Sequence, residues 1–510
     1  MIYFSKSSVY RHLQALKRRN RYPESYLWES SEGRAWLTRL VVAVLLELGI
    51  KRGVGADHLS LFFQRVHLDQ HIGLSPSSLL QILERIENLA VSYALKLEEE
   101  RRQTGQEVGI VAAGDETFFN DVVILVLSDL QSGFLLVEEA TDNRTYETWQ
   151  AAAKKRLEEL RLHVDHFVSD RARALLKLAA SGFGCSFGAD LFHGEREIVK
   201  GFGLAFHRRL IQIKAKLERA SGRMKEQYRS ADAEVKAEAT RAEVKECEAE
   251  LERVQVGQNN YRHVLQKISE SVHPFTLEGD HQTSGQVEEV LREQVTKLYT
   301  IAEESGITWN RSHLDKFERQ IGDLSRGIDV WQLLVKSSIE SQKVPTELSL
   351  WLWYVLLPVV YWHRQMTRTG NATMKLMYQS AWQQAHDVWK DHAITKGLVI
   401  EEAKRWQAWA EDMAGKFQRA SSAVEGRNGW LSQMYGNGRG ITSRRLRMLT
   451  IIHNYDIRRS DGTTAAERLF GVKHPDLFEW LVGQIGELPM ARKRQKRASC
   501  NSLIFYAVPP

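Results

Sequence analysis

Val108-Gly109-Ile110-Val111-Ala112-Ala113-Gly114-Asp115-Glu116-Thr117 interrupts a helical pattern with six small or branched apolar residues that run into an acid. Two more short β-rich runs follow, Val122 to Leu127 and Phe134 to Val137, parted by the turn-prone Asp129 to Gly133. A helix is then expected from Thr145 to about Leu160, and a strand at His166-Phe167-Val168 that ends in Ser169-Asp170. Arg171 to Ala180 is helical again and Cys185 to Phe187 is strand-like. Three strands at hairpin spacing, then helix, strand, helix, strand, predict a mixed sheet with helices packed on it.

On the amino-terminal side, Ser8 to about Arg102 carries apolar residues at spacings of three and four, so residues 1–102 read as a helical domain. Leu59 to Phe63 is followed by a polar break at Asp69-Gln70-His71. A new helix is announced by Ser75-Pro76, a cap and a first-turn proline. Two helices around a short break resemble a helix-turn-helix, although many such pairs serve only packing.

On the carboxyl side, residues 201–415 read as an all-helical insertion into the α/β core that begins at residue 103. Phe206, Leu210, Ile213, Leu217, Ala220 and Met224 are spaced 4, 3, 4, 3 and 4, a coiled-coil seam that continues through Tyr228, Ala231 and Val235. That seam can fold back on a second helix or pair with another subunit. The apolar run Leu348 to Trp362 is shorter than the roughly 20 residues needed to span a bilayer and contains Pro358, so it is expected to be a buried helix. Residues 416–475 are assigned to a second part of the core, and 476–510 to a basic tail.

At 510 residues the chain is too long for one core and implies several domains. The formal charge of +6 is unevenly spread. From Lys416 to Pro510 there are 16 Lys and Arg against 7 Asp and Glu, and residues 1–40 hold 8 against 3. Arg492-Lys493-Arg494-Gln495-Lys496-Arg497 places five like charges in six residues, which repel unless a phosphate-rich partner is present. Cys185, Cys247 and Cys500 are far apart and show no CxxC spacing, so neither a zinc module nor a disulfide framework is indicated, and a reducing cytoplasm is the expected setting. Met1 to Lys6 has no signal-peptide character, so neither export nor a membrane partner is expected.

Asp115 follows the first strand and Asp170 ends a later one, so neighbouring strands can set their carboxylates side by side. Glu425 opens a helical segment able to bring a third. Three clustered carboxylates repel one another and suit hard cations such as Mg²⁺ or Mn²⁺. Two such ions can activate a nucleophile and stabilise the leaving oxygen in attack on a phosphodiester. A chain with 64 acids also offers such triples by chance.

Gly114-Asp115-Glu116-Thr117, Val168-Ser169-Asp170 and Ser422-Ala423-Val424-Glu425-Gly426-Arg427-Asn428-Gly429-Trp430-Leu431 resemble the three motifs of bacterial insertion-sequence DDE transposases. The last block continues into Arg444-Arg445-Leu446 and Ile452-His453-Asn454-Tyr455, also similar to that family. The resemblance covers about 107–200 and 416–475. It implies a ribonuclease-H-like catalytic core interrupted by an all-α insertion, with Asp115, Asp170 and Glu425 binding two Mg²⁺ ions, which Mn²⁺ can replace. Asp190-Leu191-Phe192-His193 is similar to the [C/D]xxH motif of transposases with such insertions, which implies His193 near the scissile phosphate, with a helix-cap role as the alternative. Double-stranded DNA, as transposon ends and target, is then the expected partner. Arg427, Arg439, Arg444, Arg445, Arg447, Arg492, Lys493 and Arg494 would face its phosphates. A homodimer or higher oligomer on DNA, in the cytoplasm at the nucleoid, completes the expectation. The aromatic cluster Trp351, Trp353, Tyr354, Tyr361 and Trp362 offers either a stacking site for a flipped base or core packing. The rival readings are a ribonuclease-H-like structure-specific nuclease or resolvase, and a domesticated DNA-binding protein without catalysis.

Overall fold

The segment 108–189 forms one five-stranded mixed sheet: β1 (Val108–Phe119), β2 (Val122–Asp129), β3 (Leu135–Thr141), β4 (Leu162–Ser169) and β5 (Ser186–Ala189). The structure, a computed structural model, describes residues 6–19, 21–28, 30–119, 122–227, 233–436 and 440–491. The described chain is mostly helical outside this sheet. It divides into two compact units, one from Thr104 to Trp430 and one holding the described residues up to Gln103 and from Leu431 onward.

The strand order is β3-β2-β1-β4-β5. The first three strands pair antiparallel, with Asp115 opposite Val126 and Leu125 opposite Glu139, and β4 and β5 add parallel to them. Val123 to Asp129 is buried without a break, as expected of a strand covered on both faces. β1 runs further than the sequence suggested, because Thr117, Phe118 and Phe119 stay paired with Ile124, Val123 and Val122. Asp115 therefore sits within the strand rather than at its end. At the preceding Gly114 a Cβ would come within 2.9 Å of the Phe167 ring on β4, so only glycine lets the two strands pack here.

After β5 the chain enters a short helix, Leu191–Ile198, passes through a π turn at Val199–Gly203, and continues as the helix Leu204–Gln227. That helix and Ala233–Ser271 form an antiparallel hairpin, shown by the ion pairs Arg209 to Glu250 and Arg223 to Glu243. Phe206, Ile213 and Ala220 are buried at intervals of seven, and so are Thr240, Cys247, Val254, Tyr261 and Ile268 on the partner helix. The expected seam thus folds back within the chain. Tyr228 and Ala231, assigned to the same seam, lie outside the described residues, as does the side chain of Val235.

The 346–368 segment is the buried helical run that its length suggested, and among the described residues no helix is long and apolar enough to cross a membrane. Trp353, Tyr361 and Trp362 pack inside the unit around His273, Phe275 and Trp331, Trp351 is buried with Nε1 donating to the Thr395 hydroxyl at 3.0 Å, and Tyr354 is exposed. Four of the five rings are therefore core, which leaves little of the cluster for base stacking. His273, fully buried, contacts the hydroxyls of Tyr361 and Tyr378 with its two ring nitrogens, and burial holds it well below its ordinary pKa and neutral.

In the other unit, Ala56–Arg65 and Pro76–Thr104 flank the expected break, with Ser75 Oγ accepting from the Ser78 amide at 3.3 Å. These helices do not close a core alone. Tyr93 packs edge-on against Tyr455 and tilts against Trp480, Arg85 donates to the Glu487 carbonyl, and Lys51 pairs with Asp456 at 2.6 Å. The expected boundaries placed 1–102 in a domain of its own and 431–475 in the α/β core. The packing joins 431–491 to the amino-terminal helices instead, because Leu446, Leu449, Ile452 and Tyr455 bury their apolar face in that unit.

Candidate active site

Asp115 on β1 and Glu425, in the first turn of the helix Ser422–Gly436, face the same small region of the sheet unit. Helical spacing puts Asn428 on the same side of that helix as Glu425. Its Nδ2 donates to Asp115 Oδ2 at 2.8 Å across 313 residues of chain. Asp115 is raised to a pKa of about 7, first by burial and then by the negative charge of Glu425. Two carboxylates thus crowd one half-buried spot, and their repulsion is the state that a bound cation relieves.

His193 answers part of that repulsion. Its Nε2 lies 3.2 Å from Glu425 Oε1 and its Nδ1 lies 3.1 Å from Asp190 Oδ2. The hydrogen bond to Asp190 comes first among the causes that raise the imidazole above its ordinary pKa, with the Asp190, Glu425 and Asp115 charges adding to it. Asp190 is fully buried at its side chain and caps the Leu191–Ile198 helix, its Oδ1 accepting from the Phe192 amide at 2.8 Å. Its Oδ2 also accepts from the amide of Ser421 at 3.1 Å and from the Ser421 hydroxyl. Burial alone would raise Asp190, but the bonds from His193 and Ser421 outweigh it and hold this carboxyl below its ordinary range. The aspartate is therefore an ionised pivot: it orients His193 and ties the start of the Glu425 helix to the end of β5.

The Glu425 helix is fastened to the sheet a second time. Arg427 is buried and donates from Nε and Nη2 to both oxygens of Glu138 on β3, at 2.6 and 2.7 Å, and its guanidinium lies 4.4 Å from the Trp430 ring centroid. The expectation that Arg427 meets DNA phosphate is thereby corrected, since a bidentate guanidinium inside the protein has no free face. Arg444 bonds to Glu84 at 3.2 Å and pairs with Glu87, Arg445 is half-buried and donates to the Gly440 carbonyl at 3.3 Å, and Arg447 is exposed. All three belong to the other unit. Arg439, Arg492, Lys493 and Arg494, with Lys496 and Arg497, lie outside the described residues.

Asp170 stands just past β4. The register that pairs Ala113 with Val168 leads its backbone toward the level of Asp115. Its Oδ1 accepts from the Ala172 amide at 2.9 Å, and its charge is among the causes that raise Glu116. Glu116 is raised chiefly by burial and opposed by Arg144, whose Nη1 lies 2.5 Å from its Oε1. Among the described residues no three His, Cys, Asp or Glu side chains are gathered as a metal-binding set. Asp115 and Glu425 fit a hard divalent cation in donor type and in their crowded charge. Asp170 accepts from the Ala172 amide through Oδ1, and its second oxygen, Oδ2, is the one that could serve a cation.

Sequence reasoning missed Asn428, Glu138 and Ser421. Asn428 stands three residues after Glu425 on a helix, a spacing that could have flagged it. Glu138-Glu139 in a strand sends one acid to each face, so in a covered sheet one must be buried and paired. Nothing local in the sequence marks Ser421, whose partner is 231 residues away.

Two comparisons bear on the chain. No curated protein matches it. Residues 352–497, a span that includes Glu425, Arg427 and Asn428, match a family described as a family of unknown function (DUF6399).

Proposed function

We propose that this chain is a DNA transposase with a ribonuclease-H-like core, which cleaves and joins phosphodiester bonds at a divalent-metal site built on Asp115, Asp170 and Glu425. The observation that carries the reading is the meeting of Asp115 and Glu425, far apart in sequence, with His193 and Asn428 holding one carboxylate each. The strand order, with three antiparallel strands followed by two parallel ones, agrees with such a core. The helical stretch between Asp190 and Ser421 agrees with an insertion ahead of the last acid.

Asp115 and Glu425 would hold the metal, with Asp170 completing the set. When bound, Mg²⁺ supplies activation of a water or 3′-hydroxyl and charge stabilisation at the phosphate. The chain's own groups do the rest. Asn428 holds the Asp115 carboxylate through Oδ2, beside a further bond from the Glu116 backbone. His193, raised above its ordinary pKa first by the hydrogen bond to Asp190, directs Nε2 at Glu425 and is a group that could give a proton to a leaving oxygen. The Arg427–Glu138 pair sets the depth of the Glu425 helix on the sheet.

The test is Mg²⁺-dependent cleavage and strand transfer by the full chain, with linear fragments carrying the DNA that flanks its gene and a supercoiled target. Joined products that vanish in Asp115→Ala support the reading. Cleavage without joining points to a nuclease, and no Asp115-dependent cleavage sinks the proposal.

A further inference from the structure

The helix Leu204–Gln227 carries seven Lys and Arg against two Glu. Its buried face is spent on the hairpin seam, and Arg209 and Arg223 are spent on Glu250 and Glu243. The remaining five cations, Arg208, Lys214, Lys216, Arg219 and Lys225, are all exposed, and none forms an ion pair or hydrogen bond with a described residue. The partner helix, Ala233–Ser271, holds more acids than bases, yet among the described residues the ion pairs seen across the hairpin are Arg209 to Glu250 and Arg223 to Glu243. Between the cations runs a ridge of Leu204, Ile211, Ala215 and Gly222, of which Leu204 and Ile211 are about half exposed, at 52% and 54%. At Ala215 and Gly222 the small side chains let a partner come close to the helix backbone.

From these observations we infer that the outer face of Leu204–Gln227 is a docking surface for the sugar-phosphate backbone of double-stranded DNA. The inference rests on the reading above only in naming the polyanion as duplex DNA. Arg208 to Lys225 spans roughly 25 Å at the helical rise of about 1.5 Å per residue, which matches some seven base pairs at about 3.4 Å each. Two copies of this chain meeting on the same face would bring the five remaining cations of one against the five of the other, with Glu218 and Glu226 as the acids of that helix, so charge complementarity favours the polyanion over self-association. The surface also lies on the stretch of chain that follows His193. His193 lies on the helix that leads through the π turn into this one, so Arg208 follows it by about 22 Å of helical rise. DNA held along the helix would thus be directed toward Glu425 without any base being read, as phosphate contacts do.

The experiment measures binding of the full chain to a 40-base-pair duplex of arbitrary sequence by fluorescence anisotropy at several salt concentrations. Arg208, Lys214, Lys216, Arg219 and Lys225 are changed together to Gln. A control changes five exposed lysines elsewhere in the same unit, Lys154, Lys155, Lys375, Lys390 and Lys404, giving the same net charge. Each phosphate contact adds about 0.9 to the slope of log K against log salt, so the first variant should flatten the slope by about 2 to 4 and weaken binding at least tenfold, while the control does neither. A charge-keeping variant that swaps Lys for Arg and Arg for Lys at the five positions should retain the slope. Equal slopes in the Gln variant and wild type overturn the inference, as does an equal change in the control. Loss of a dimer with an unchanged slope would make this face an interface between copies and overturn it as well. Metal-dependent cleavage is read on the same proteins. Cleavage with an unaltered slope removes only this surface, whereas a flattened slope without Asp115-dependent cleavage removes only the catalytic reading.

Discussion

Asp115→Asn isolates the electrostatic load on the candidate site. Without metal, Asp115 titrates at about 7 against an ordinary 3.8, raised first by burial and then by the Glu425 charge, with His193 opposing. A carboxyl whose folded pKa lies above its unfolded value holds its proton more tightly when folded. The stability this confers is complete below about pH 4 and is lost as pH climbs through about 7. Integrated from pH 5 to pH 8, the loss is about 2 to 3 kcal/mol as an upper value. Asn keeps the shape and can still accept from Asn428 Nδ2, but it does not titrate. Chemical unfolding in EDTA at pH 5, 6.5 and 8 should therefore show wild type falling behind Asp115→Asn by about that amount as pH rises. His193, whose pKa is also raised, loses its stabilising contribution in the same direction, but it does so in both proteins and largely cancels from the difference. Millimolar Mg²⁺ should restore wild type at pH 8 and leave the variant where it was. Parallel pH profiles would refute the argument that Asp115 is buried beside a second charge. Equal stabilisation of both proteins by Mg²⁺ would remove Asp115 as a ligand while leaving the titration intact.

Three further outcomes are expected. Ala at Asp115, Asp170 or Glu425 should lower cleavage by orders of magnitude with DNA affinity equal or higher, and Mn²⁺ should replace Mg²⁺ where Ca²⁺ supports only binding; a Glu425→Ala protein cutting at the normal rate would exclude Glu425. Arg427→Met takes the bidentate guanidinium from the buried Glu138 and should cost up to about 3 to 5 kcal/mol in unfolding, with Glu138→Gln restoring part of it; a stable variant with weaker DNA binding would return Arg427 to a phosphate-contact role. The isolated segment 1–102 lacks the chain that supplies Tyr455 and Trp480 to Tyr93, so it should show no cooperative melt, and a sharp transition would show that these helices fold alone.

The sheet was legible because each strand announces itself locally. β-branched runs broken by Asp129 to Gly133 need no distant partner to be recognised, and the heptad spacing of Phe206, Ile213 and Ala220 is likewise written in one stretch. What the sequence hid is contact between distant segments. Arg427 reads as a cation near an acidic motif, the usual profile of a phosphate contact, and only the placement of Glu138 on β3 turns it inward. The carboxyl-terminal boundary was misplaced for the same reason. An apolar helical face such as Leu446, Leu449 and Ile452 says that it must be buried but not against which unit. Asp170 was legible as a strand-end acid, while the turn of its side chain toward the Ala172 amide is a local hydrogen-bond choice that no spacing encodes.

The insertion raises a physical question, because the last acid is separated from the sheet by a long stretch of folded helices. Closing a loop costs only logarithmically more as it lengthens, so the length of the insertion is cheap provided its two ends are pinned. They are pinned at one place: the Leu191 amide donates to the Arg419 carbonyl at 3.0 Å, and Ser421 bonds to Asp190 through amide and hydroxyl. Arg419 reaches from that clamp into the insertion, donating to the carbonyls of Ser269 and Val272 and to the Tyr378 hydroxyl. The same three-residue step therefore closes the insertion, anchors its helices and starts the helix that carries Glu425. Tightness at Asp190 and Ser421 and freedom of length between them are two sides of one design. It places the tolerance of this chain for change in the helical bundle and its intolerance at residues 190 and 419–428, where a shift of the clamp moves His193 and Glu425 together.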